Sequence, residues 1–281
     1  MREREWVERR IARALAVAIA QPTLAAGPDA PFTQLHTVLR ELFPLLFQAA
    51  KTEIIDGRAL LLSLPGAGGA RPLLFLSHLD VAPVRECEKW VVPPFSGEIR
   101  DGFVYGRGAA DMKGHLIALL TAMEGLLAED TIPRGDIYFA FSCDEETRGG
   151  SMQKMCRLLD ARGVRPAFVL DEGGSVTALP TLCERPAALV GVAEKGRMCF
   201  TLTSDGDRAI EALLHASQRL LRMRFVPAVC PVTSRMLEAL SAEMVGYSRF
   251  CAAHPRMMRT QLLRKLDRTV YGRALSRTQL H

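Results

Sequence analysis

The stretch FLSHLDVAPV (residues 75–84) begins as an apolar strand and ends in His78 and Asp80. Burying an ionisable side chain is costly unless it has a partner, so two such groups after a buried strand need an explanation. Because successive side chains alternate along a strand, His78 and Asp80 lie on the same face. There Asp80 can accept a hydrogen bond from one imidazole nitrogen and leave the other free for a metal ion.

Two further apolar strands end in acids, namely DIYFAFSCDEE (136–146) and PAFVLDEGG (166–174). Helical patterns over 32–48, 112–128 and 151–163 alternate with these strands, and alternation of this kind predicts an α/β fold. A further helix is predicted over 236–252, in the C-terminal part of the chain. We expect a mostly parallel sheet flanked by helices, in which the carboxyl ends of the strands converge on one crevice. The residues placed there are His78, Asp80, Asp144, Glu145, Glu146, Asp171 and Glu172, with Asp111 following the glycine-rich loop GRGAADMKG.

Several carboxylates at one edge of a sheet repel one another unless a cation lies between them. Histidine combined with carboxylates suits zinc or a similar divalent ion. Each motif alone also has a simpler interpretation, since acids often solvate loops and DEGG can be only a turn. GRGAADMKG lacks the spacing of a phosphate-binding P-loop.

Composition limits the other classes of function. The 281 residues are 48% hydrophobic and carry a net charge of +5, which fits one large or two smaller globular domains. The basic stretch 219–277 contains few aromatic residues, which argues against nucleic acid as a partner. No apolar run is long enough to span a membrane. Seven cysteines without a paired pattern favour a reduced, cytoplasmic protein.

Four motifs, SHLDVAPV, GRGAADMKG, SCDEETRGG and LDEGG, occur in an order that resembles the M20 zinc metallopeptidases. Other stretches resemble the branch that contains carboxypeptidase S and the N-acyl amino acid hydrolases. The resemblance implies a zinc-peptidase-like catalytic domain over residues 1–195. It also implies a partial, mainly helical lid and dimerisation domain over 196–281.

The resemblance assigns a role to each residue of the site. His78, Asp111, Glu146 and Asp171 are expected to bind two zinc ions, with Asp111 bridging them; Co²⁺ or Mn²⁺ could take the same ligands. Asp80 is expected to orient His78, and Glu145 to act as the general base. The peptide bond after Asp111 is expected to be cis.

The chain also departs from the family pattern. TLTSDGDRAIEALL (201–214) runs from a strand into a helix where the family has a lid histidine, and the segment with the last zinc-binding histidine has no counterpart. The second zinc site is therefore expected to be incomplete, and the chain truncated at its C-terminus.

Two hypotheses follow. The first is a metal-dependent hydrolase that cleaves small peptides or N-acyl amino acids beside a free carboxylate and that can form a homodimer through the lid. The alternative is a catalytically impaired remnant that binds metal or a partner without turnover.

Overall fold

The computed structural model describes residues 2–85, 89–147, 149–177, 186–192, 201–222, 231–244, 246–255 and 257–258. They fall in two compact units, Met1–Glu172 and Gly173–His281. Each unit has its own cluster of buried apolar side chains. The domain boundary expected at residue 195 stays a prediction.

The first unit combines five helices with seven strands among its described residues. The helices are α1 (Arg2–Ile19), α2 (Ala30–Leu42), α3 (Pro44–Ala49), α4 (Gly114–Ala128) and α5 (Gly150–Ala161). The strands are β1 (Lys51–Ile55), β2 (Ala59–Leu64), β3 (Leu73–His78), β4 (Glu98–Arg100), β5 (Phe103–Tyr105), β6 (Ile137–Ser142) and β7 (Phe168–Leu170). Strands β4 and β5 form a separate two-stranded hairpin.

The main sheet has the strand order β1-β2-β6-β3-β7. Strands β6, β3 and β7 are parallel, whereas β2 pairs antiparallel with both β1 and β6. The sheet is therefore mixed, and only the half that carries the expected site is parallel as predicted. The difference arises because β1 and β2 are joined directly by a tight turn in which Asp56 and Gly57 both have positive φ. A parallel pair needs a long crossover connection instead.

The centre of the sheet is covered on both faces. Four consecutive residues of β2, Ala59 to Leu62, are fully buried, which an alternating strand with one wet face does not show. Helices α1, α3, α4 and α5 contribute to the same apolar core as the strands. The helix-flanked α/β sheet predicted from the sequence is thus present.

The helix predicted over 32–48 is two helices, α2 and α3, separated at Phe43. Pro44 is the first residue of α3. Proline cannot donate the backbone hydrogen bond that a continuous helix requires, but it is well tolerated at the first position of a new helix. The carboxylate of Glu124 receives the N–H groups of Leu45 at 3.0 Å and Leu46 at 2.9 Å. This buried acid on α4 therefore caps the first turn of α3.

The second unit is mainly helical in its described part. It contains the hairpin β8 (Ser175–Thr177) and β9 (Ala187–Leu189), followed by α6 (Ala209–Arg222), α7 (Pro231–Ser241) and α8 (Gly246–Ala253). The helix predicted over 236–252 is two helices, since Gly246 has a φ of +57° at the start of α8. Within both units, no helix of the described residues is long and apolar enough to cross a membrane.

Replacing Glu124 by glutamine tests the cap on α3. Glutamine keeps the size of the side chain but removes the charge that strengthens both hydrogen bonds, so we expect a loss of about 1–2 kcal/mol in the free energy of unfolding. Chemical denaturation measures it. The matched control is Glu129→Gln at the exposed end of the same helix, which should change stability by less than about 0.5 kcal/mol. Equal effects of both substitutions would contradict the capping role.

Candidate metal centre

The parallel half of the sheet brings three strand ends to one edge. His78 at the end of β3 is level with Ser142 at the end of β6, and Phe75 of β3 is level with Leu170 of β7. The connections that follow these strands carry the acids singled out from the sequence. The crevice at this edge is where parallel α/β sheets bind their ligands.

His78 is buried, with its ring held between two acids. Nδ1 donates a hydrogen bond of 2.9 Å to the backbone carbonyl of Asp80, and the carboxylate of Asp80 is 3.5 Å away. The sequence predicted the carboxylate as acceptor, whereas the closer acceptor is the carbonyl of the same residue. Nε2 faces the crevice, 3.0 Å from Oδ1 of Asp111. The ring is therefore oriented with one nitrogen directed at the acids.

Asp80 connects the loop after β3 to the loop after β6. It is fully buried, and its two carboxylate oxygens receive the backbone N–H groups of Glu145 at 3.2 Å and Glu146 at 3.1 Å. A buried carboxylate with both oxygens satisfied in this way fixes the distance between the two loops.

The far end of the loop after β6 is held by Asp144. Its carboxylate receives the N–H of Gly150 at 2.9 Å, at the start of α5, and lies in close contact with the hydroxyl of Ser151. That hydroxyl also accepts a hydrogen bond of 3.1 Å from the N–H of Cys143. Hydrogen bonds thus hold the backbone at Cys143 and at Gly150, on either side of Glu145 and Glu146. They fix the backbone from which these two side chains extend.

Asp111 reaches the crevice from the turn Ala109–Lys113, which leads into α4 and whose backbone is not helical at Asp111 and Met112. The peptide bond between Asp111 and Met112 is cis, as the resemblance implies. A Cβ on Gly108, whose φ is +86°, would lie 2.6 Å from the side chain of Val81. Only glycine therefore allows this turn to approach the loop after β3 so closely.

Among the residues that the structure describes, two overlapping groups of atoms could hold a metal ion, and the atoms within each lie no more than 4.8 Å apart. The first consists of His78, Asp111 and Glu146, and the second of His78, Glu145 and Glu172. Imidazole nitrogen and carboxylate oxygen are the ligand types that zinc and related divalent ions accept. By its donor types, the cluster fits the metal that the sequence predicted.

Asp171 lies in neither group. Its carboxylate receives the N–H of its own neighbour, Glu172, at 2.9 Å, whereas the carboxylate of Glu172 is 3.7 Å from Nε2 of His78. The resemblance assigned the ligand role to Asp171, and adjacent residues at the end of a strand point to opposite sides. The choice depends on how the chain leaves β7, which no local pattern in the sequence indicates.

The electrostatics of the cluster are those of acids crowded around one imidazole. Burial lowers the pKa of His78, but the hydrogen bonds and charges of Asp80 and Asp111 outweigh it and raise the value to about 10. Burial and the surrounding acids raise the pKa of Glu172 to about 7, against the opposing effect of His78. Burial also raises the pKa of Glu145. A divalent cation would relieve the repulsion that remains.

Comparison with known proteins supports this assignment of the chain. Residues 74–261 match the model of peptidase family M20/M25/M40. The bovine N-fatty-acyl-amino acid synthase/hydrolase PM20D1 is 39% identical over 207 residues, which cover 69% of this chain and 41% of that protein. A probable carboxypeptidase S-like 2 of Dictyostelium discoideum is 34% identical over 69% of this chain and 40% of its own length. The chain thus spans about two fifths of these relatives.

Solved structures agree in fold. Human carnosine dipeptidase 1 superimposes with a TM-score of 0.51 at 20% identity, covering 60% of this chain and 39% of that one. The M20 family metallo-carboxypeptidase Sso-CP2 of Sulfolobus solfataricus gives a TM-score of 0.50 at 25% identity, covering 59% and 38%. With the family model matched over more than half of its length, this chain belongs to peptidase family M20/M25/M40.

Proposed function

We propose that the protein is a metal-dependent amide hydrolase that acts on N-acyl amino acids or short peptides with a free carboxylate. The observation that carries the proposal is the convergence of one oriented, buried imidazole and four carboxylates at the edge of the parallel strands. The names of the relatives, an N-fatty-acyl-amino acid synthase/hydrolase and a carboxypeptidase S-like protein, supply the class of substrate. Neither the fold nor the comparisons support the alternative of a non-catalytic remnant.

In this proposal His78, Asp111 and Glu146 hold the metal. The backbone N–H of Ala82 donates to Oε1 of Glu146 at 3.1 Å, which keeps that carboxylate turned toward His78. The predicted ligand Asp171 stays a prediction, and Glu172 is the acid that the distances favour at that position. When bound, the ion supplies Lewis-acid activation of the scissile carbonyl and of a water molecule.

Glu145 is the proposed general base. Its carboxylate is 3.9 Å from Nε2 of His78 and about half exposed to solvent, so it can reach both the cluster and a substrate. Its raised pKa brings it closer to the range in which a group both accepts and releases a proton readily. We assign it the transfer of a proton from water to the leaving amine nitrogen.

The finer points remain proposals. Zinc is the preferred ion because the donor set combines nitrogen with oxygen, while Co²⁺ or Mn²⁺ suits the same ligands. Binding of a second ion, a homodimer through residues 196–281 and a cytoplasmic location rest on the sequence and the resemblance. Three of the seven cysteines fall in the described residues, and all three are free thiols, which agrees with a reducing compartment.

Replacing Glu145 by glutamine tests the base. We expect kcat to fall by about 10²–10⁴-fold while the metal content is unchanged, because glutamine cannot accept the proton. The assay uses the metal-loaded chain and a panel of N-acyl amino acids and dipeptides, each beside its methyl ester. The matched control, Glu129→Gln, should retain activity, and the esters should react more slowly. Hydrolysis that survives both a chelator and Glu145→Gln would contradict the proposal.

Proton release on metal binding provides a second test. Because His78 has a raised pKa of about 10 and Glu172 of about 7, both protons must leave before these groups can bind a cation below pH 7. The substitution Glu172→Gln should therefore reduce the number of protons released per Co²⁺ by about one at pH 6 and by about zero at pH 8.5. Calorimetry in buffers of different ionisation enthalpy measures the number released.

The pH dependence of metal affinity tests the same role of Glu172. Metal affinity should fall as the pH drops through 7, and it should fall less steeply in Glu172→Gln than in the unmodified chain. Identical proton counts for the two proteins at pH 6 would show that Glu172 does not take part in binding.

A further inference from the structure

We propose that residues 18–24, here called the anchor segment, position the metal-binding loops, and that Thr23 and Lys113 are the two positioning residues that connect them. The inference rests on the proposed function, because the loops concerned carry His78 and Asp111. It adds residues that none of the metal-binding motifs includes as a ligand or base. The anchor segment comprises the last two residues of α1 and the five residues after it.

The first connection joins the anchor segment to the turn that carries Asp111. Lys113 is fully buried, and its Nζ donates to the carbonyls of Ala18 at 2.9 Å and Gln21 at 2.7 Å. The last carbonyls of a helix have no partner within it, and the helix dipole makes that end attractive to a cation. Lys113 therefore fixes the 109–113 turn to the end of α1.

The second connection joins the anchor segment to the loop that follows His78. The hydroxyl of Thr23 donates to the carbonyl of Leu79 at 2.6 Å, and the N–H of Val81 donates to the carbonyl of Thr23 at 2.9 Å. Leu24 and Val81 form a parallel bridge. These bonds lie on either side of Asp80 and hold the backbone from which it reaches His78.

The anchor segment is itself held firmly. Ala18, Ile19 and Thr23 are fully buried. A Cβ on Gly97 would lie 2.3 Å from the carbonyl oxygen of Ala16, and one on Gly106 would lie 2.4 Å from the side chain of Ile19. The end of α1 therefore packs closely against the backbone at Gly97 and Gly106, and it offers both loops a fixed point of reference.

The charge of Lys113 argues for position rather than for electrostatics. Burial lowers the pKa of Lys113 to about 7, against the attraction of the Asp80 charge. In its protonated form the lysine brings a positive charge toward a site for a cation. By charge alone, removing it should strengthen metal binding. If Lys113 instead holds the Asp111 turn in place, its removal should weaken binding. The two explanations therefore predict opposite changes in metal affinity when Lys113 is replaced.

Co²⁺ affinity of the full chain, measured by competition with a chromophoric chelator, tests the proposal. We expect Thr23→Val and Lys113→Met each to weaken binding by about 10–100-fold, the usual effect of removing a group that orients a ligand. Both should also alter the visible spectrum of bound Co²⁺. Thr23→Ser keeps the hydroxyl and should bind within about 3-fold of the unmodified chain. Glu124→Gln lowers stability elsewhere in the unit and should leave the affinity unchanged.

The outcomes separate the two levels of the argument. An unmodified chain that binds no Co²⁺ overturns the proposed function and this inference with it. An unmodified chain that binds Co²⁺, together with a Thr23→Val variant of equal affinity or a Lys113→Met variant of higher affinity, overturns this inference alone. Should Lys113→Met not fold, the contrast between Thr23→Val and Thr23→Ser decides.

Discussion

The site depends on a single buried carboxylate, that of Asp80. The two carboxylate oxygens accept hydrogen bonds from the backbone N–H groups of Glu145 and Glu146. The backbone carbonyl of Asp80 accepts a hydrogen bond from Nδ1 of His78. Burial without these partners would be costly, so the loops after β3 and β6 can fold together in few other ways. The same interaction sets the ring of His78 and the backbone of both glutamates. The hydrogen bonds of Asp80 therefore stabilise these two loops and also position the side chains of the candidate site.

This constraint divides the site into a rigid part and an accessible part. His78 is almost fully buried, whereas the carboxylates of Asp111 and Glu145 are more than half exposed. Negatively charged carboxylates are thus exposed at the edge of the sheet, where a cation and a substrate can reach them. In the proposal above, the anchor segment extends the rigid part to the turn that carries Asp111, through the hydrogen bonds of Lys113. Amide hydrolysis by an activated water is the chemistry that we propose for this arrangement.

The sequence predicted the features that follow from hydrophobic patterns in short segments or from the family motifs. Strands ending in acid, the helix-flanked sheet and the cis bond after Asp111 were all expected. The antiparallel pairing of β2 with β6 and the helix breaks before Pro44 and Gly246 were not. Apolar periodicity continues across both helix breaks, and no local pattern indicates which strand lies beside β2. The closeness of the Glu172 carboxylate to His78 depends on how the chain leaves β7. Lys113 and Thr23 bond to backbone carbonyls far away in sequence, and no side-chain pattern reports such partners.

Anomalous diffraction at the metal absorption edge tests the central claim most directly. Crystals of the full chain grown with Zn²⁺ or Co²⁺ should show a peak bounded by Nε2 of His78 and the carboxylates of Asp111 and Glu146. The same measurement on Asp80→Asn should show a weaker peak, because asparagine cannot accept both backbone N–H groups with a full carboxylate. A peak elsewhere in the unmodified chain, or none at all at saturating metal, would contradict the account.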